Sequence, residues 1–174
     1  RTAAGFWNTT LSPLHAAWLS AVVARGGEPI RPRIVSEVVD GAGKSLYTAP
    51  APQVGKRLYT TNVASAVTQM MEKTVSEGTS YKAFHDKSGN AYLAGVQVAG
   101  KTGTANKPDP ATGGYSETKY VASFVGFAPA ARPRLLVAVM VDEPQGEIFG
   151  GAVAAPAFQK IAEFALPYLR IPPR

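Results

Sequence analysis

The 174-residue chain carries 18 Lys and Arg against 12 Asp and Glu, a formal charge of +6, with 45% hydrophobic and 17% charged residues. That composition supports a sizeable buried core and excludes a disordered tail or low-complexity scaffold. No apolar run reaches the ~20 residues of a membrane-spanning helix, and the absence of cysteine excludes a disulfide framework, a thiolate metal site and a cysteine nucleophile.

The basic balance invites comparison with nucleic-acid binders, which cluster Lys and Arg on one element with aromatics between them. Here the cations are scattered. Only Arg25 to Arg33 and Arg132 to Arg134 hold several together, both beside prolines that mark loops, so the charge reads as solvated surface, open to an anionic substrate.

In chain order, Ser12-Pro13 predicts a helix start, since Ser12 can cap free amides and Pro13 suits the first helical position. This helix is expected to run to about Arg25, with Leu14, Trp18, Ala21 and Val22 on one face and Gly26-Gly27 as its stop. His15, with no ligand partner a turn away, is expected to pack. Residues 30–47, rich in Val and Ile around Asp40-Gly41-Ala42-Gly43, predict a hairpin of two short strands.

A second helix, capped by Thr60 or Thr61, extends to about Glu77 with Val63, Val67, Met70, Met71 and Val75 inward, and Gly78 ends it. Residues 79–84 predict a short third helix and residues 85–92 a polar loop. Alternation over 96–105, 120–128 and 135–141 predicts three strands, the last two being antiparallel neighbours because their connection is short. Residues 107–114, rich in Pro and Gly, are expected to be a mobile loop. After Gly150-Gly151, Pro156 opens a last helix with Phe158, Ile161, Ala162 and Ala165 on one side. Helices around an antiparallel sheet, with no internal boundary over residues 1–174, give a single α+β unit.

Chemistry concentrates in Gly100-Lys101-Thr102-Gly103-Thr104-Ala105. Along a strand, Thr102 and Thr104 point the same way, placing two hydroxyls near an ammonium, a combination suited to a carboxylate. Gly103 allows a substrate backbone close to the strand, an exposed edge would accept a peptide by β-addition, and the Thr104 amide could serve an oxyanion. K-T-G alone is a short match that an ordinary edge strand also satisfies.

The wider pattern is more specific. Val98-Ala-Gly-Lys-Thr-Gly-Thr-Ala105, then Tyr120-Val-Ala-Ser-Phe-Val-Gly-Phe-Ala-Pro129, Val141-Asp-Glu-Pro144 and Phe149-Gly-Gly151 before Ala-Pro-Ala-Phe158 resemble the C-terminal part of a class B penicillin-binding protein, and within that class the septal peptidoglycan transpeptidases of cell division. The stretch 5–35, with Leu11-Ser-Pro-Leu14, resembles the segment after that family's second motif. The resemblance implies the penicillin-binding/serine β-lactamase-like transpeptidase fold and three motifs, S-x-x-K, S-x-N and K-T-G.

Only K-T-G is assigned here. Ser116 and Lys119 satisfy S-x-x-K as letters, and Ser88 and Asn90 satisfy S-x-N, but their positions after and just before the K-T-G strand do not match the family's order. The resemblance therefore implies that the chain is one part of a domain whose serine precedes Arg1, and that the chain alone is inactive. It implies that Lys101 assists proton transfer and electrostatic positioning, that Thr102 and Thr104 bind the stem-peptide or β-lactam carboxylate, and that the Thr104 amide joins an oxyanion hole. Gly103 allows close approach, and Phe149 and Gly150 wall the acyl pocket unless they are simply turn residues before the helix.

The implied reaction is acyl transfer through serine, with no cofactor or metal. The implied partners are peptidoglycan stem peptides, β-lactams, the N-terminal part of the same protein, and a septal glycosyltransferase with other division proteins. The implied location is an extracytoplasmic, periplasmic domain behind a membrane anchor. Two alternatives stand beside it: an elongation-type transpeptidase, D,D-carboxypeptidase or β-lactamase, and a non-catalytic sensor or peptide-binding module.

Overall fold

Helix α1 (Pro13–Ala24) begins where Pro13 follows Ser12, whose hydroxyl oxygen accepts the His15 amide at 3.1 Å. This is the N-cap geometry expected of a serine ahead of a helical proline. The computed structural model describes residues 10–173, so residues 5–9 of the stretch 5–35 lie outside the described residues. On α1, Trp18 is half-buried and donates its indole N–H to the Ile30 carbonyl at 2.8 Å. Val22 is buried, whereas Leu14, in the first turn of the helix, is exposed. His15 is exposed too, with its ring 5.7 Å from that of Trp18, so it packs beside that indole at the surface and not in the core.

Strands β1 (Glu37–Val39) and β2 (Ser45–Thr48) pair antiparallel into the expected hairpin. The Asp40 carboxylate closes its turn by accepting the Ala42 and Lys44 amides, each at 2.9 Å. Helix α2 (Thr61–Ser76) is capped by Thr60, which accepts the Val63 amide at 3.4 Å. It buries Ala64, Met71 and Val75 and leaves Val63 and Met70 exposed. The apolar residues of this helix span a wide arc, and contact with the sheet selects only the edge holding 64, 71 and 75. Helix α3 is a single turn (Tyr81–Phe84).

The main sheet has the order β3-β4-β5, wholly antiparallel, from β3 (Ala99–Asp109), β4 (Gly114–Ala128) and β5 (Leu135–Asp142). Residues 107–114 are not the separate loop expected from their composition. Pro108 pairs with Tyr115 and Asp109 with Gly114 after a register shift, extending the hairpin. Proline is compatible with this because β3 is an edge strand and the shift relieves its missing N–H.

Helix α4 (Gly150–Tyr168) starts six residues before the expected Pro156, which stands inside it together with Pro167. Its buried face is Ala154, Ala155, Phe158, Ala162 and Leu166, while Ile161 is exposed. Phe84, Phe124 and Phe158 form the centre of the core on this side of the sheet, with ring centroids 4.9 to 5.9 Å apart. The other side carries Ala99 and Phe127 against Met71, with Val23, Ala24 and Val67 packed around them. The sheet is thus clad by α3 and α4 on one face and by α1 and α2 on the other.

Several large apolar side chains remain exposed, among them Ile34, Leu46 and Val54 near the small hairpin and Phe164 and Tyr168 on α4. Among the described residues, no helix is long and apolar enough to cross a membrane.

Candidate functional site

Strand β3 borders β4 on one side only, so its other edge is open to added backbone or ligand. Register pairs Thr102 with Phe124, Gly103 with Ser123 and Thr104 with Ala122. Thr102 and Thr104 therefore lie on the face that carries α4, and Lys101 and Gly103 on the opposite one.

A hollow of about 870 Å³ lies along this edge. Its walls are Lys101, Thr102, Gly103 and Thr104 from β3, residues 149–152 at the start of α4, and residues 76–79, 81 and 82 around the α2–α3 turn. The six expected site residues, Lys101, Thr102, Gly103, Thr104, Phe149 and Gly150, all line it. A second hollow of about 800 Å³ between α2 and residues 91–98 is lined by Val75, Phe84, Leu93, Val96 and Val98 among others, without a comparable set of threonine hydroxyls.

Each threonine hydroxyl has a partner from a different element. The Gly150 amide donates to Thr104 Oγ1 at 3.2 Å. Thr102 Oγ1 lies 2.9 Å from Thr79 Oγ1, hydrogen-bonded to it. The exposed Lys101 curls so that Nζ donates to the Thr102 carbonyl at 2.5 Å, an arrangement in which its ammonium remains accessible at the rim.

Close packing holds these groups in place. A Cβ on Gly150 would collide with the carbonyl oxygens of Ser123 and Gly103, so only glycine lets α4 begin directly on the sheet. A Cβ on Gly103 would strike Ser123 Oγ; the glycine that sequence reasoning reserved for substrate approach also makes room for a neighbouring strand's side chain. Phe149 precedes α4 as its exposed N-cap residue, and Glu147 Oε1 accepts the Ile148 and Phe149 amides at 2.9 and 3.1 Å.

The charge of the hollow is set by Lys101 and Lys82 against Glu77. Glu77 is hydrogen-bonded to Lys73, whose ammonium is held above the ordinary lysine range chiefly by that bond. With Glu77 so engaged, two lysines and two threonine hydroxyls remain to meet an anion, a donor set suited to a carboxylate. Among the described residues, no group of three or more His, Asp or Glu side chains is placed to hold a metal ion.

The two letter matches set aside on sequence order fall away from this hollow. Ser116 Oγ accepts the Thr118 and Lys119 amides at 3.2 and 3.0 Å, and Lys119 lies 3.8 Å from Glu143. Asp86 accepts the Ser88 and Asn90 amides at 2.8 and 2.9 Å, closing a surface turn. Sequence reasoning did not single out Thr79. Its only signal is the Gly78-Thr79-Ser80 break after α2, and its contact with Thr102 is formed across 23 positions.

Residues 1–163 match the penicillin binding protein transpeptidase domain. Stage V sporulation protein D of Bacillus subtilis (strain 168) is 35% identical over 166 residues, covering 95% of this chain and 24% of that protein. The probable peptidoglycan D,D-transpeptidase PenA of Neisseria gonorrhoeae is 40% identical over 126 residues, covering 72% of this chain and 20% of that protein. The chain thus spans a quarter or less of the length of these curated relatives.

Among solved structures, apo penicillin binding protein 3 of Mycobacterium tuberculosis superposes with a TM-score of 0.79 at 27% identity, covering 97% of this chain and 37% of that one. Its complex with ampicillin gives a TM-score of 0.78, also at 27% identity, over 95% and 36%. Sequence and fold agree along nearly the whole chain, and on both grounds it belongs to the penicillin-binding protein transpeptidase domain family.

Proposed function

We propose that this chain forms the K-T-G side of the acyl-transfer site of a peptidoglycan D,D-transpeptidase, within a longer protein that supplies the nucleophilic serine. The observation that carries the proposal is the hollow along the open β3 edge, where Lys101, Thr102, Gly103 and Thr104 meet Phe149 and Gly150. The names of the relatives and the ampicillin complex of a structural neighbour support the same chemistry.

In this reading the stem-peptide carboxylate lies on the Thr102 and Thr104 hydroxyls, with Lys101 supplying positive charge and assisting proton transfer. The serine oxygen bonds to the carbonyl carbon of the penultimate D-alanine, and the tetrahedral oxyanion is met by the Thr104 amide. The peptide C–N bond then breaks and D-alanine departs with the proton. An amine of a neighbouring stem peptide takes the acyl group and releases the serine. A β-lactam acylates the same serine by opening its ring C–N bond, the nitrogen taking the proton.

The finer assignment is septal. It rests on the likeness of the 120–129 run to division enzymes, and it places the domain outside the cytoplasm behind a membrane anchor, with a septal glycosyltransferase and division proteins as partners. The open β3 edge also suits a second reading, peptide capture without catalysis.

Intact mass spectrometry of the serine-bearing protein with benzylpenicillin separates the two. A penicilloyl adduct that forms about a hundredfold more slowly in Lys101→Ala supports the transpeptidase; no adduct on the wild-type protein overturns it and leaves the β3 edge as a binding surface.

A further inference from the structure

Resting on the proposed acyl-transfer reading, we infer that Thr79 is a positioning residue of this site. Its hydroxyl donates to Thr102 Oγ1 and so turns the Thr102 O–H toward a bound carboxylate.

A threonine hydroxyl has one donor and two acceptor positions, and its proton rotates to suit its neighbours. An ionised carboxylate only accepts. For Thr102 to serve as a carboxylate donor, its proton must be free of other acceptors, and its oxygen is then left to accept. Thr79 Oγ1 lies 2.9 Å away, within hydrogen-bond reach of Thr102 Oγ1, and its own rotatable proton can fill that role. The chain of hydrogen bonds then runs from Thr79 to Thr102 to the anion, each link polarising the next.

Thr104 is arranged by the same logic. The Gly150 amide can only donate, so Thr104 Oγ1 accepts it at 3.2 Å and keeps its own proton for a ligand. Each of the two β3 hydroxyls thus has its partner on a different element, α4 for Thr104 and the α2–α3 turn for Thr102.

The turn that carries Thr79 is held firmly. Ser80 is fully buried, and both its hydroxyl and its amide donate to the Thr74 carbonyl, at 2.8 and 3.1 Å. A Cβ on Gly151 would collide with the Thr79 carbonyl oxygen, and it would lie 3.4 Å from Thr102 Cγ2. The first turn of α4 therefore passes close to both Thr79 and Thr102. Thr79 itself is exposed at the hollow, so its hydroxyl is not needed to satisfy a buried group.

The test uses acylation of the serine-bearing protein by benzylpenicillin and by its methyl ester, which lacks the carboxylate. For benzylpenicillin, Thr79→Val should lower the second-order acylation rate by about fivefold to tenfold, the effect of one lost hydrogen bond. Thr79→Ser should restore it to within about twofold of wild type. For the methyl ester, wild type and Thr79→Val should react alike.

Equal slowing with both compounds would reduce Thr79 to a structural residue and overturn the inference, as would unchanged rates with benzylpenicillin. A wild-type protein that benzylpenicillin does not acylate would instead remove the transpeptidase reading, and the inference with it.

Discussion

The Gly150 amide donates to the Thr104 hydroxyl oxygen at 3.2 Å, joining the first residue of α4 to the edge strand across 46 positions. The helix reaches that point because residue 150 has no side chain to strike the Ser123 and Gly103 carbonyls beneath it. Gly150→Ala is expected to lift the helix start, break the bond to Thr104 and cost about 2 kcal/mol of stability through overpacking. Gly41→Ala, at a turn position where an added Cβ meets no other atom, should change stability by less than about 0.5 kcal/mol. Urea unfolding of the serine-bearing protein and its two variants checks both.

Gly100 and Phe124 form a second fitted pair, since a Cβ at 100 would run into the buried Phe124 ring. Gly100→Ala alone should destabilise by about 1–3 kcal/mol. Combined with Phe124→Leu, part of that cost should vanish, because the smaller side chain vacates the space, giving a coupling of about 0.5 kcal/mol or more in a double-mutant cycle. Additive losses would show that the two positions do not share that space.

Such fitted contacts explain where sequence reading succeeded and where it stopped. The caps Ser12 and Thr60, the Asp40 turn and the alternation of the three main strands are local signals, and the structure realises each of them. Pro156 looked like a helix start because proline suits a first turn, yet α4 begins at Gly150, where packing on the sheet and not propensity decides. Pro108 looked like a loop residue, but an edge strand with a shifted register accommodates it. In α2, Val63 and Met70 fit the helical period as well as Met71 does, and only the position of the sheet separates them. The K-T-G set was legible because its residues are contiguous; Thr79 was not, because a 23-residue separation leaves no periodic trace.

The Asp86 carboxylate is held below the ordinary aspartate range, first by the Asn90 side chain, with the Asn90, Ser88 and Gly89 amides adding to it. A lowered folded-state value stabilises the turn above the ordinary aspartate value, and that contribution is lost as pH falls through the folded value. Carboxyl NMR titration of Asp86 should give a midpoint below that of an unstructured aspartate, and Asn90→Ala should move it upward. An unmoved midpoint in the variant would contradict this assignment.

Ser116 spends its hydroxyl oxygen on the Thr118 and Lys119 amides. Ser116→Ala is therefore expected to leave the benzylpenicillin acylation rate of the serine-bearing protein within about twofold of wild type, the spread of a surface substitution. Loss of the adduct in this variant would mean that the nucleophile had been misassigned.

The most direct measurement is a crystal structure of the serine-bearing protein acylated by benzylpenicillin. The account predicts the antibiotic ester against the β3 edge, its carboxylate within about 3 Å of Thr102 Oγ1 and Thr104 Oγ1. A carboxylate bound away from both hydroxyls would contradict the assignment of Lys101, Thr102 and Thr104 as the anion-binding side of the site.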